Sequence, residues 1–214
     1  MSEALQAIQR NALGLGLFAA LTAGAIGITQ ILTAERIEQQ RELATARARA
    51  AVLPDDVSLD AGNTQPVSLP ANNVTGIREG AEAIRVTPAR TGPILILPVT
   101  APDGYSGRIE LVLGIRRDGT LTGVRATEHQ ETPGLGDAIE VAKSDWILDF
   151  NGQSLDNPAP EQWGVGGDSA FDALSGATIT SRAVVDAVRR GLAFTATHQE
   201  HLFAGDDGQG AGTP

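Results

Sequence analysis

The stretch RIELVLGIRRDGTLTGVRATE occupies residues 108–128 and decides the fold class. It holds two runs rich in aliphatic and β-branched residues, and the pair Asp118-Gly119 separates them. An Asp-Gly pair between two such runs is a strong hairpin signal, because both residues tolerate the backbone angles of a tight turn. Residues 108–128 therefore predict two antiparallel strands joined by a short loop.

Further elements follow on both sides of this hairpin. EAIRVTP at 82–88 and PILILPVT at 93–100 have the composition of strands, and ITSRAVVDAVRRGLAF at 179–194 has the period of an amphipathic helix. The apolar face of that helix consists of Val184, Val185, Val188 and Leu192, and the polar face mostly of Arg182, Asp186, Arg189 and Arg190. The sequence thus predicts an α+β fold, with a hairpin-rich sheet and flanking helices.

The N-terminal part is different, because residues 12–32 carry no charge. These 21 residues at about 1.5 Å each span about 31 Å, the hydrocarbon thickness of a bilayer. A cleaved signal peptide and a buried core helix are the alternatives, but the run is long for either. The expected organisation is a cytoplasmic segment (1–11), a transmembrane helix (12–32), a helical stalk (33–54), a loop or linker (55–79), one folded domain (80–203) and a flexible tail (204–214).

Composition excludes several function classes. The formal charge of −10 argues against nucleic acid as a partner, because a phosphate backbone requires a basic surface. The chain has no cysteine, which excludes a cysteine-ligated iron–sulfur cluster, a zinc thiolate site and disulfides. With only three histidines, a histidine-rich metal site is not expected either. Any redox chemistry must therefore use an organic cofactor.

The turn DALSGATIT at 172–180 stands at the start of the predicted helix. Free backbone N–H groups and the positive end of the helix dipole favour a phosphate at such a position. Gly176 and Ala177 let a ligand approach the backbone, and Thr178 offers a hydroxyl beside it. Serine and threonine are also preferred helix caps. The residues alone leave a phosphate site and a simple N-cap both open.

A second unusual segment, HQETPGLGD, occupies residues 129–137 directly after the hairpin. Its proline and two glycines predict a tightly bent loop with polar side chains at its entrance. An ordinary surface connection is the alternative. Neither this segment nor GVGG at 164–167 has the strand–turn–helix setting of a dinucleotide-binding fingerprint.

Three segments together resemble the G subunit of the Rnf electron-transport complex. They are HQETPGLGDAIE at 129–140, SDWILDFNG at 144–152 and DALSGATITSRAVVDAVRRGL at 172–192. The related C subunit of the sodium-pumping NADH:quinone reductase shares the SGAT and ETPGLG motifs, whereas KSDW at 143–146 is more similar to the Rnf subunit. The resemblance covers the N-terminal anchor and roughly residues 80–195.

The resemblance implies a covalent flavin mononucleotide (FMN). In that family a separate flavin transferase esterifies the last threonine of SGAT to the FMN phosphate, which here is Thr178. The residues that match the surrounding recognition sequence are Asp172, Ser175, Gly176 and Ala177. The residues that the resemblance places near the flavin are Glu131, Thr132, Gly134, Leu135 and Gly136. Thr178 would be an attachment point and not a catalytic residue.

The resemblance also implies where the protein works and with what. It implies a single-pass protein of the bacterial inner membrane, with its FMN-binding domain in the periplasm. The partners would be the other Rnf subunits, in a complex that moves electrons between ferredoxin and NAD while translocating ions, and the subunit alone would have no activity. The positive-inside rule opposes this orientation, since Arg36, Arg41, Arg47 and Arg49 follow the apolar run and only Arg10 precedes it.

Two other functions stay open from the sequence. The chain could be the equivalent flavin subunit of a sodium-pumping NADH:quinone reductase. It could also be an anchored structural or binding subunit without flavin, whose SGAT turn caps a helix.

Overall fold

A computed structural model describes residues 2–70, 81–89 and 91–204, with side chains from residue 8 onward. The chain divides into two units, Met1–Leu43 and Ala44–Pro214. The first helix, α1, runs over Ser2–Ala51, so the predicted apolar and charged segments form one helix that ends before Pro54. Within the described residues, one helix is long and apolar enough to cross a membrane, over Ile8–Ala51.

The second unit contains a five-stranded antiparallel sheet in the order β1-β2-β3-β4-β5. The strands are β1 (Thr64–Ser68), β2 (Glu82–Val86), β3 (Ile94–Gly104), β4 (Gly107–Arg116) and β5 (Leu121–Glu128). The predicted hairpin is confirmed as β4 and β5. Its turn contains Gly119 at φ +84°, and the Asp118 carboxylate accepts the Thr120 N–H at 2.9 Å. The sequence-based α+β assignment is thus confirmed.

The first strand corrects the sequence analysis, which predicted a loop or linker over 55–79. Strand β1 lies within that range and pairs with β2 from Thr64↔Val86 to Ser68↔Glu82. Its sequence, TQPVS, contains a proline and no alternating apolar pattern, so it has no strand signal of its own. Proline is tolerated here because β1 is an edge strand and has a neighbour on one side only. The sheet therefore begins before residue 80, where the folded domain was expected to start.

Both faces of the sheet are covered, which explains the unbroken apolar run of β3. On one face, Leu95, Leu97 and Val99 share a buried cluster with the helix α2 (Thr178–Thr197). The predicted apolar face of α2 is confirmed, since Val184, Val185, Val188 and Leu192 are all buried. On the other face, Ile94 and Ile96 share a second cluster with Ala48, Val52 and Leu53. Full burial of such side chains contributes about 1.5–3 kcal/mol each.

Residues 129–177 connect β5 to α2 with little regular structure. Three short 3-10 helices lie there, at Gly136–Ile139, Trp146–Phe150 and Pro160–Gln162. An aromatic cluster fixes the segment, with Phe150 stacked on Phe171 at 4.5 Å between ring centroids and both tryptophans beside them. The last helix in the described part of the chain is α3 (Gln199–Phe203), whose Leu202 and Phe203 are buried.

Candidate functional site

The start of α2 holds the central residue of the predicted site. The helix begins at Thr178, and its N-cap Ala177 makes no side-chain cap hydrogen bond. Within the described part of the chain, the first helical N–H with an acceptor is that of Ser181, which donates to the Ala177 carbonyl at 3.0 Å. The interpretation of the SGAT turn as a hydroxyl N-cap is therefore wrong. The N–H groups of the first turn remain available to a ligand, as the phosphate interpretation requires.

The Thr178 side chain is half-buried, and its hydroxyl makes no hydrogen bond with any described residue. Gly176, two residues earlier, has φ +74°, a left-handed conformation that glycine adopts without strain. This glycine turns the chain so that Ala177 is buried while Ser175 and Gly176 stay exposed. The turn thus presents a free hydroxyl next to unpaired helix N–H groups.

Side chains from outside the turn hold it in place. The Trp146 indole Nε1–H donates to the Asp172 carbonyl at 2.7 Å. The Leu174 N–H donates to Ser181 Oγ at 3.0 Å, and that hydroxyl donates in turn to the Ala177 carbonyl at 3.1 Å. Sequence reasoning did not assign Trp146 or Ser181 to the site. The only signal was the position of Trp146 in the segment that resembles the Rnf subunit.

The loop at 129–137 is bent as predicted, and hydrogen bonds among its own residues close it. The Thr132 carbonyl accepts the N–H groups of Leu135 and Gly136 at 3.1 and 3.0 Å. The buried Asp137 carboxylate accepts the Gly134 N–H at 2.7 Å, and Gly134 has φ +79°. The loop is therefore closed by contacts among its own residues.

Glu131 differs from the exposed residues of this loop because its side chain is buried. Its side chain is 4% exposed, one carboxylate oxygen accepts the Ser106 N–H at 3.0 Å, and the other accepts the Thr180 hydroxyl. His129 stands beside it, with Nδ1 accepting the Glu131 N–H at 3.2 Å and Nε2 at 3.0 Å from the Glu140 carboxylate. This pattern assigns the Nε2–H tautomer to His129.

The two predicted segments meet at Leu135 and Gly176. A Cβ added at Gly176 would lie 3.1 Å from Leu135 Cδ2, so the side chain of one loop contacts the backbone of the other. The residues proposed from the resemblance fall into two groups by exposure. Exposed are Thr132, Gly134, Leu135, Asp172, Ser175 and Gly176, whereas Glu131, Gly136 and Ala177 are buried and Thr178 is intermediate.

Comparison with known proteins adds two family matches. The model of an FMN-binding domain matches residues 104–193, which include both loops and the start of α2. The model of the RnfG N-terminal region matches residues 1–52. The second match favours the Rnf subunit over the equivalent subunit of the sodium-pumping quinone reductase.

Curated relatives match almost the whole chain. A protein of Shewanella loihica, named as the G subunit of an ion-translocating oxidoreductase complex, is 38% identical over 92% of this chain and 94% of its own length. A protein of Pseudomonas aeruginosa with the same name is 40% identical over 94% of each chain. Among solved structures, the crystal structure of Shewanella oneidensis NqrC matches with a TM-score of 0.49 and 24% identity, over 69% of this chain and 72% of that one.

Proposed function

The chain belongs to the family of G subunits of ion-translocating oxidoreductase complexes, and we propose that it carries FMN esterified to Thr178. It contains an FMN-binding domain and is a subunit of a multi-subunit enzyme. The observation that carries the covalent proposal is the Thr178 hydroxyl, which bonds to no described residue and stands at a helix start without a side-chain cap.

The residues at this position fit a phosphate group. The first-turn N–H groups of α2 are unpaired within the described residues, and the helix dipole adds partial positive charge there. Gly176 and Gly134, both at positive φ, add no side chain of their own at these turns.

The chain's own residues attach and orient the cofactor in this proposal. Thr178 Oγ1 would form the bond to the FMN phosphorus while the phosphoanhydride bond of an activated flavin nucleotide on the flavin transferase breaks. The second phosphoryl group would leave with the electron pair of that bond, and the hydroxyl proton would pass to a base of the transferase. When bound, the flavin accepts one or two electrons and can join one-electron and two-electron partners. The ester fixes only the tail, so the exposed residues Thr132, Gly134 and Leu135 are proposed to border the ring.

We further propose that α1 anchors the subunit in the inner membrane. Leu13 and Phe18 expose 78% and 65% of their surface, and an apolar helix surface of this length without protein cover requires lipid or a partner helix. With the N-terminus in the cytoplasm, the FMN-binding domain would lie in the periplasm beside the other subunits. The arginines after residue 32 do not decide against this, because a long domain follows them and long domains are translocated largely regardless of charge.

Intact mass tests the attachment. The full-length protein made together with a flavin transferase should gain about 438 Da, the mass of an FMN phosphoryl ester. Fragmentation should place the added mass on Thr178, and protein made without the transferase should lack it. An unmodified mass in the presence of active transferase would contradict the proposal.

A separate experiment tests the orientation. A reporter that is active only in the periplasm should be active when fused after the last residue. Activity of a cytoplasm-only reporter at the same place would contradict the periplasmic assignment without affecting the attachment site.

As a subunit of the proposed complex, the protein would pass electrons between ferredoxin and NAD and would turn over no substrate alone.

A further inference from the structure

Glu131 is a buried carboxylate that the proposed electron transfer does not use. Its two oxygens join segments that are far apart in the sequence, since Ser106 lies 25 residues before it and Thr180 lies 49 residues after it. Two hydrogen bonds in series hold the Ser106 nitrogen and the Thr180 hydroxyl within roughly 8 Å of each other. The carboxylate thus connects the β3–β4 turn to the first turn of α2.

The packing around this carboxylate leaves it no room to move. A Cβ added at Gly104 would lie 2.9 Å from Glu131 Oε1. A Cβ added at Gly136 would lie 2.8 Å from Glu131 Cβ and 2.9 Å from Oε2. All three distances are shorter than real Cβ contacts, so two glycines make the space that Glu131 occupies. The side chain is enclosed by the protein itself.

Each segment that Glu131 joins carries an exposed apolar side chain next to the bonded residue. Tyr105 precedes Ser106 and is 67% exposed, while Ile179 precedes Thr180 and is 52% exposed. Within the described part of residues 44–204, the other large apolar side chains with such exposure are Leu135, which contacts Gly176, and Val141. A small cavity lined by Asp103, Ile179 and Ala183, among others, adjoins both segments. Of the four exposed apolar residues, Ile179 therefore lies in the first turn of α2, Leu135 contacts the turn before it, and Tyr105 lies in the segment that Glu131 joins to it.

We propose that Glu131 is a positioning residue that holds Tyr105 against the face of the flavin carried by Thr178. The inference rests on the proposed function, because it requires the flavin to be attached there. Glu131 itself does not touch the cofactor. It fixes the β3–β4 turn, and this turn brings an aromatic ring to a surface that already contains Leu135 and Ile179. Flat aromatic rings pack well on such a surface, since offset stacking adds to the burial of apolar area.

A tyrosine beside a flavin has an optical signature that a purely structural role lacks. The phenol donates one electron to the excited flavin, and the electron returns without emission, so both groups end unchanged and fluorescence is lost. Phenylalanine has the same ring but is a far weaker donor. The emission of each bound flavin therefore reports whether Tyr105 is in place.

The test is a double-mutant cycle on full-length flavinylated protein, with emission divided by bound flavin. Glu131→Gln should raise the emission about twofold or more, and it should raise it much less in a Tyr105→Phe background, because the two residues act through one interaction. Thr180→Val should behave like Glu131→Gln, whereas Thr180→Ser keeps the hydroxyl and should restore the wild-type emission. Circular dichroism selects the variants that fold.

A measurement without flavin separates this proposal from the previous one. In the unflavinylated protein, Glu131→Gln should speed hydrogen exchange of the Ser106 amide roughly five- to tenfold, the effect of weakening one hydrogen bond. Additive emission changes in the cycle, or a Thr180→Ser variant that resembles Thr180→Val, would overturn the positioning role. An absent FMN adduct on wild-type protein would refute the attachment to Thr178, and unchanged Ser106 exchange would refute the Glu131 connection.

Discussion

The loop at 129–137 and the turn at 172–178 lie side by side but are stabilised in opposite ways. The loop is closed by its own residues, through the Thr132 carbonyl and the Asp137 carboxylate, and Glu131 joins it to other segments. The turn has one internal backbone bond, from the Ala177 N–H to the Leu174 carbonyl at 2.9 Å, and is otherwise held from outside by the Trp146 indole and the Ser181 hydroxyl. Because neighbours do this work, the turn can leave its own Thr178 hydroxyl free. A segment that presents a reactive group is thus fixed by residues that do not belong to it.

Removing the free hydroxyl should have the largest effect. Thr178→Ala deletes the oxygen that forms the ester, so the FMN adduct should be lost completely, while Thr178→Ser should keep a measurable adduct. The fold should be unchanged in both variants, since the hydroxyl bonds to no described residue. In-gel flavin fluorescence and intact mass measure the adduct. A flavinylated Thr178→Ala protein would show that the turn presents some other attachment residue.

Removing the Trp146 contact that holds the turn should have the next largest effect on FMN attachment. Trp146→Phe deletes the hydrogen bond to the Asp172 carbonyl and part of a buried ring, which should cost about 1–3 kcal/mol of unfolding free energy. It should also slow FMN attachment, because the turn loses its main external contact. Urea unfolding and the rate of attachment by the transferase are the measurements.

The second tryptophan supplies a matched control for that change. Trp163 belongs to the same aromatic cluster, is 7% exposed, and its Nε1–H donates to the Ser154 carbonyl at 3.1 Å. Trp163→Phe should lower stability by a similar amount and leave the rate of attachment near the wild-type value. Equal slowing by both variants would mean that the turn depends on general stability and not on Trp146.

Alanine substitutions at one glycine in each segment compare the loop and the turn directly. Gly134 and Gly176 both have positive φ, so alanine at either should cost about 1–2 kcal/mol of backbone strain. A Cβ at Gly134 would meet open space, whereas a Cβ at Gly176 would press on Leu135 Cδ2 at 3.1 Å. Gly176→Ala should therefore reduce FMN attachment more than Gly134→Ala does. Thermal unfolding and adduct yield test this order.

The smallest effect is expected at Asp118, which lies in the β4–β5 turn and contacts neither segment. Its hydrogen bond from the Thr120 N–H holds the pKa of Asp118 below the usual 3.8. A lowered pKa adds stability above about pH 4, and this stability is lost as the pH falls through the folded-state pKa. Asp118→Asn should thus change the unfolding free energy by no more than about 0.5 kcal/mol at neutral pH. Urea unfolding at pH 7 and pH 3 should show a larger difference at pH 7 than at pH 3, with FMN attachment unaffected.

Local patterns predicted the regular elements well. The β4–β5 hairpin and α2 follow from an Asp-Gly pair and a 3.6-residue period, which depend only on neighbouring residues. Strand β1 was missed because TQPVS becomes a strand through its pairing with β2. The burial of Glu131 was missed for a related reason, since its partners Ser106 and Thr180 are distant in the sequence. Contacts between distant segments leave no local pattern to find.

The residues at the end of α1 determine where the protein can be truncated. The Val52 carbonyl accepts the Thr122 hydroxyl at 2.5 Å, and a Cβ at Gly114 would lie 2.5 Å from the same carbonyl. The backbone at residue 52 therefore lies directly on the sheet. Together with Ala48 and Leu53, residue 52 covers Ile94 and Ile96. A fragment that starts at Pro54 would lack these residues. Its apolar sheet face would be exposed to solvent, and the fragment would tend to aggregate. A fragment that keeps the face covered must begin before Ala48, inside the helix.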